Sequence, residues 1–294
     1  LIFRDLEQNG MTSLVDNDPV PAIGEQTATG ETAEIFADIR STLDVEVVNL
    51  IWRHLATFPG ALQWVWASLK PLYLGPAIVP ADNIRKTLTL PRLLPLSRDT
   101  LRAAGLDVSA LSSIRAILDS YQHTNALALV CFSAFLARFQ SAEASKATPF
   151  PVDSDKSYVP PSRVALPRLI SLTEMHPSLA NLIYELNGFG EDGDAALVAS
   201  MYRHLAHWPT YLALVRTMLV PLQESGELQV LVAATRRIGD SLGAALAGEL
   251  STTAPRSDIE PVLHAVRRFV RHPIARMTGV CALIGCATPR VTTV

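Results

Sequence analysis

The residues in this chain best suited to chemistry come in repeated pairs. Arg53-His54 and Arg203-His204 stand 150 positions apart, inside WRHLATFPGALQWVWASLKPL (52–72) and YRHLAHWPTYLALVRTMLVPL (202–222). Histidine titrates near neutral pH, so His54 and His204 brought face to face could transfer a proton or hold a metal. No carboxylate or third histidine accompanies them at ligand spacing, so no metal and no cofactor is implied. The same two residues also read as packing groups, because a histidine on the apolar face of a helix must find a hydrogen-bond partner once buried. Arg53 and Arg203 could grip an anionic substrate or simply pair with acids beside the apolar stripe. The run FGEDGD, with Glu191, Asp192 and Asp194, could bind a cation, although acids in front of a helix need no ligand to explain them. The chain has no GxSxG elbow, no HExxH and no phosphate loop.

The two stretches match at ten of twenty-one positions without a gap, where unrelated segments would share about one, so the chain carries an internal duplication. A period this long is not a solenoid. It implies two domain-sized copies arranged about a pseudo-two-fold axis, with any site at their contact built from related but non-identical residues.

Composition narrows the partners. At 294 residues and 49% hydrophobic the chain can bury one large core or two smaller ones. Its net charge of −3 comes without a lysine- or arginine-rich run, which excludes the electrostatic footprint of a nucleic-acid or anionic-membrane binder. The longest uncharged apolar stretch, Ala126 to Leu136, is too short to span a bilayer, so no membrane partner is expected. Cys131, Cys281 and Cys286 form no CxxC pair and lie in apolar runs; they read as buried, reduced thiols of a cytoplasmic protein. Met11 reads as the native start, with residues 1–10 a leader ahead of it.

Periodicity predicts an all-α fold. Residues 1–30 are an irregular N-terminal segment. Repeat 1 spans 31–141, with a helix over Glu31–Leu43 and a second ending at Phe58 that carries Val47, Leu50, Ile51, His54 and Leu55 on one face. Pro59 and Pro209 are expected to stop one helix and open the next. The next helices reach about Tyr73 and Gln223. A proline-punctuated stretch from Gly75 to Ser97 includes a short extended piece, followed by helices over 97–104, 109–121 and 125–141. A Pro/Ser-rich linker covers 142–168. Repeat 2 covers 169–287, with helices over 230–249 and 257–285, and 288–294 is a tail.

The segments LATFPG, YQHTNALAL and LAHWPTYLALV together resemble the group I 2-haloacid dehalogenases, which act on both D- and L-substrates, over most of residues 31 to 290. The resemblance implies two all-helical repeats forming a pseudo-dimer with the active site between them, and a homodimer in solution. It implies metal-free hydrolysis, in which an aspartate helped by an asparagine activates a water that displaces halide from the carbon beside a carboxylate. Carried over, Asn125 falls on the water-positioning asparagine and Ser200 on a serine that holds the substrate carboxylate. Met201 falls on the activating aspartate, and a thioether cannot take a proton from water. Val47 and Leu50 replace two aromatic pocket residues and, with Ile51, widen the pocket. Three readings stay open: a small-molecule pocket for a short carboxylic acid, with family hydrolysis lacking its base; an enzyme of different chemistry using His54 or His204; and a non-catalytic ligand-binding or interaction protein.

Overall fold

A computed structural model of the chain describes residues 18–139, 165–191, 193, 197–250 and 258–291. The leader, Met11, most of the linker, Asp192 and Asp194 lie outside the described residues. Among those residues every regular element is helical and none is a strand: α1 Gly30–Leu43, α2 Leu50–Leu55, α3 Ala61–Tyr73, α4 Ile78–Thr87, α5 Arg98–Ala103, α6 Val108–Phe139, α7 Pro177–Gly188, α8 Ser200–Leu205, α9 Pro209–Glu224, α10 Glu227–Leu246, α11 Glu260–Phe269 and α12 Ala275–Ala287. No helix among them is long and apolar enough to cross a membrane.

Several expected boundaries move, each for a local reason. The second helix is only six residues long. Asp44 adopts the left-handed conformation that closes α1, and the Val48 amide donates to the Glu25 carboxylate at 2.8 Å, so Val47 lies in irregular chain ahead of α2. Pro209 opens α9 as its first residue, but Pro59 precedes a left-handed Gly60, which caps α3. The proline-punctuated stretch contains α4, because Pro80 falls in its first turn, where a missing N–H costs nothing. Residues 88–97 beyond it are irregular and form no strand. The helices expected over 109–121 and 125–141 are the single α6: the polar residues at its middle, His123, Thr124 and Asn125, are buried in the helix and do not break it. Thr124 returns its hydroxyl to the Ser120 carbonyl at 3.0 Å.

Helix α6 is the axis of the packing, with α10 and α12 laid along it. Its C-terminal half, Ala126 to Leu136, joins a core with α1, α2, α3 and Phe269–Ala275. Its N-terminal half joins a second core with α7, α8, α9 and much of α12. Each core therefore draws on both halves of the sequence. The α6–α10 contact is close enough to demand glycine. A Cβ added to Gly239 would stand 2.7 Å from Leu129 Cδ1, and one on Gly243 would stand 2.5 Å from the Ser133 backbone. Backbone cannot rotate away as a side chain can, so Gly243→Ala is expected to destabilise by about 2–3 kcal/mol, read as a lowered urea midpoint. An unchanged midpoint would show that α10 rides off α6 without cost.

Cys131 and Cys281 are buried, and burial raises both thiols, Cys281 to about 12. Cys286 is exposed, contrary to the apolar run around it, because it falls on the outer side of α12.

Candidate functional site

Residues far apart in sequence close around one cavity of about 70 Å³, room for several water-sized groups. One wall comes from the chain before α2 and its first turns, Val47 to Ile51 with Arg53; α6 contributes Tyr121 and Asn125, one helical turn apart. The opposite wall is Leu197–Met201, entering α8. Leu169, Phe269, Pro273, Ile274 and Met277 close the rest. Pro273 lies in a π-helical turn, Val270–Ile274, that joins α11 to α12. Its missing N–H leaves a gap in the helical ladder that the wider turn absorbs.

Seven of the residues picked out in the sequence thus meet at one place: Val47, Leu50, Ile51, Arg53, Asn125, Ser200 and Met201. Asn125 is 8% exposed and its Nδ2 has no hydrogen-bond partner among the described residues; Met201 is fully buried. Among the described residues the lining includes no aspartate or glutamate.

His54 and His204 do not line the cavity, and the expectation of a facing pair is corrected by their partners. His54 Nδ1 donates to the Pro21 carbonyl at 2.7 Å, and its ring packs on Phe58 and Phe269. His204 Nδ1 meets the Tyr121 hydroxyl at 2.8 Å. Arg53 and Arg203 converge on a single carboxylate, Asp18. It bonds Arg53 Nη2 and, at 2.9 Å, Arg203 Nη1, with all three side chains almost out of solvent. Sequence reading missed Tyr121 and Asp18. Tyr121 was within reach, since it sits four residues before Asn125 on the same helix face. Asp18 lies in an irregular segment and carries no signal.

A buried polar network fixes the wall that carries Ser200. Asn187 Nδ2 donates to the Leu197 carbonyl at 3.3 Å and Asn187 Oδ1 accepts from the Ala199 amide at 3.0 Å. Arg276 Nη2 holds the same Oδ1 at 2.8 Å, and Arg276 Nη1 holds Glu191 at 3.1 Å. Glu191 also bonds Arg236 at 3.2 Å and His272 at 2.9 Å. The Glu191 carboxylate, which its neighbours in sequence make part of a candidate cation cluster, is therefore occupied by basic side chains. Among the described residues no group of three His, Cys, Asp or Glu side chains could hold a metal.

Burial lowers His54, and it pushes His123 and His204 down to about 4. A histidine in the unfolded chain titrates near 6.5. Between those values the unfolded state binds more protons than the folded one, so stability falls as pH drops through that window and is level above it. With His123 and His204 both contributing, the slope near pH 5 approaches about 2.7 kcal/mol per pH unit. Asp38 and Asp82, lowered by hydrogen bonding to lysine and arginine partners against desolvation, add their losses only below about pH 4. Urea midpoints at pH 7, 6 and 5 test this, and equal midpoints at all three would contradict it.

The chain is similar in sequence to 2-haloacid dehalogenases and shares the all-helical fold of solved D-2-haloacid dehalogenases. No family model matches the sequence. It is 26% identical over 226 residues to a configuration-inverting 2-haloacid dehalogenase of Pseudomonas sp. (strain 113), spanning 74% of this chain and 72% of that one. A configuration-inverting 2-haloacid dehalogenase of Alcaligenes xylosoxydans xylosoxydans is 32% identical over 122 residues, 41% of each chain. The same all-α fold occurs in a solved D-2-haloacid dehalogenase mutant, with TM-score 0.70 at 16% identity over 92% of this chain and 96% of that one. A D-2-haloacid dehalogenase in complex with L-LA has TM-score 0.65 at 17% identity over 91% and 95%.

Proposed function

We propose that this protein binds a short carboxylic acid in the cavity between α2, α6 and α8, in the manner of a 2-haloacid dehalogenase that lacks its general base. The observation that carries the reading is the convergence of Asn125, Ser200 and Met201 on one small, largely apolar cavity whose lining, among the described residues, includes no carboxylate. Asn125 orients a water, Ser200 contacts the ligand carboxylate, and Val47, Leu50 and Ile51 pack on its alkyl group. Met201 offers no proton acceptor, so halide displacement on the family pattern has lost a contribution of about a hundredfold or more.

We also read the chain as two copies about a pseudo-two-fold axis, 31–141 and 169–287, joined by the linker 142–168. Helices α2 and α8 are each six residues long and begin 150 positions apart, and α6 is matched 150 positions on by the run from α11 through α12. The shared Asp18 ties Arg53 of one copy to Arg203 of the other.

Calorimetric titration with 2-chloropropionate and lactate, alongside chloride release from the former, tests the function. Saturable binding with chloride release no faster than the uncatalysed background supports it, and absence of binding to either acid refutes it. A second reading, an enzyme of different chemistry in the same cavity, draws on the His204–Tyr121 contact at the cavity wall. Turnover of a bound acid without halide release would favour it.

A further inference from the structure

Six basic side chains meet at a surface hollow of about 410 Å³ between α10 and the segment that runs from α11 into the π-helical turn: Arg236, His264, Arg267, Arg268, Arg271 and His272. None of them lines the cavity described above. Among the described residues the hollow's lining includes no acidic and no apolar side chain.

Five of the six follow helical spacing. His264, Arg267, Arg268, Arg271 and His272 stand three and four apart on the solvent side of a segment whose Leu263, Val266, Phe269 and Val270 are buried in the core. Like charges at that spacing, such as Arg267 and Arg271, repel, so the grouping works against the helix that carries it. The pairs from Arg267 to Glu260 and from Arg271 to Asp240 are both 3.5 Å long and well exposed. Pairs of that kind contribute little and exchange readily for a better anion. Two other members are held in place by the protein itself. Arg236 Nε donates to the Arg271 carbonyl at 2.6 Å, and Glu191, with its carboxylate buried, holds both Arg236 and His272. Groups fixed in advance lower the ordering cost of binding.

A guanidinium fork matches phosphate oxygens two bonds at a time, and four such forks line this hollow. A single carboxylate offers two oxygens and one charge, too little for four arginines. A flat anionic surface would meet the exposed Arg271 but not the recessed Arg236, whose side chain is 16% exposed. A compact anion with several charges and many oxygens suits the hollow better than either. We propose that the hollow between α10 and α11 is an anion site, separate from the cavity, that takes a diphosphate group, with Arg236 beneath it and Arg267, Arg268 and Arg271 closing on its oxygens from α11. The site does not depend on what the cavity binds.

Calorimetric titration of the full chain at constant ionic strength tests it, with pyrophosphate, inorganic phosphate and ADP as probes. Pyrophosphate should bind saturably, one per chain, and at least about tenfold more tightly than phosphate. Arg267→Gln combined with Arg271→Gln should weaken pyrophosphate about tenfold or more. Arg102→Gln combined with Arg168→Gln removes the same charge at exposed arginines elsewhere and should leave the affinity unchanged. Absence of saturable pyrophosphate binding overturns the proposal. So does an equal loss in the two double variants, which would reduce the effect to overall charge. ADP separates the sources: binding as tight as pyrophosphate or tighter identifies a diphosphate ester, and weaker binding identifies the free diphosphate, each in support of the site. Should the first double variant fail to fold by circular dichroism, Arg271→Gln alone is judged by the same comparison against Arg102→Gln.

Discussion

Asp18→Asn is expected to cost about 3–5 kcal/mol of stability, the penalty for leaving buried charge without its counter-charge. The Asp18 side chain is 3% exposed, and those of Arg53 and Arg203 are 6% and 1%. Asparagine keeps the shape and one acceptor oxygen but removes the negative charge, so two buried guanidinium groups are left with one neutral group between them. The bonds from Arg53 Nε to the Ile23 carbonyl at 3.1 Å and from Arg203 Nε to the Ile170 carbonyl at 2.9 Å hold the groups in place and hinder their escape to water. For a chain of this size the loss corresponds to a melting temperature lower by roughly 6–15 °C. A double-mutant cycle separates charge from shape. Adding Arg203→Met to Asp18→Asn removes one of the two like charges, so the pair of changes should cost less than the sum of the single ones. Additive costs, or a melting point within about 2 °C of wild type for Asp18→Asn, would show that the three groups are not coupled.

That ion cluster marks where sequence reading stops. The duplicated Arg53 and Arg203 were visible because they repeat, but their partner is one unrepeated aspartate in an irregular segment, and no periodicity points to it. Helical character was legible wherever an apolar stripe ran at three- and four-residue spacing, as in α3, α9 and α10. It was misread where burial overrode local polarity. The Gln-His-Thr-Asn run in α6 reads as a break, yet His123 to Asn125 are buried and the helix continues through them. It was also misread at α4, where Pro80 signals an interruption only if it falls outside a first turn. The cavity residues divide in the same way. Asn125, Ser200, Met201, Val47 and Leu50 were accessible as pocket residues through resemblance, while the apolar stripe preceding Arg53 showed only that Val47, Leu50 and Ile51 share a face. The polar connection from Tyr121 to His204 joins α6 to α8 across 83 positions, and only tertiary packing brings it together.

The Met201→Asp variant is expected to release chloride from 2-chloropropionate at least about a hundredfold faster than wild type, the usual worth of a positioned general base. Met201 lines the cavity next to Ser200, and Asn125 lines it with an Nδ2 donor that has no hydrogen-bond partner among the described residues. A carboxylate placed there could take a proton from a water held by that asparagine, which is the step the methionine cannot perform. The substitution carries a stability cost because position 201 is fully buried. Desolvation raises the carboxyl pKa, and Arg53 in the same lining opposes that rise. The active form is the ionised one, so the rate should climb with pH through the new group's pKa and level off above it. Met201→Asn is the matched control, since it introduces a polar group of the same size with no basic oxygen and should stay at the wild-type rate. If a folded Met201→Asp variant is no faster than Met201→Asn, Met201 does not occupy the general-base position. If wild type already releases chloride rapidly and Met201→Ala does not slow it, another group activates the water, and the nearest hydroxyl-imidazole pair at the cavity wall, Tyr121 and His204, becomes the place to look for it.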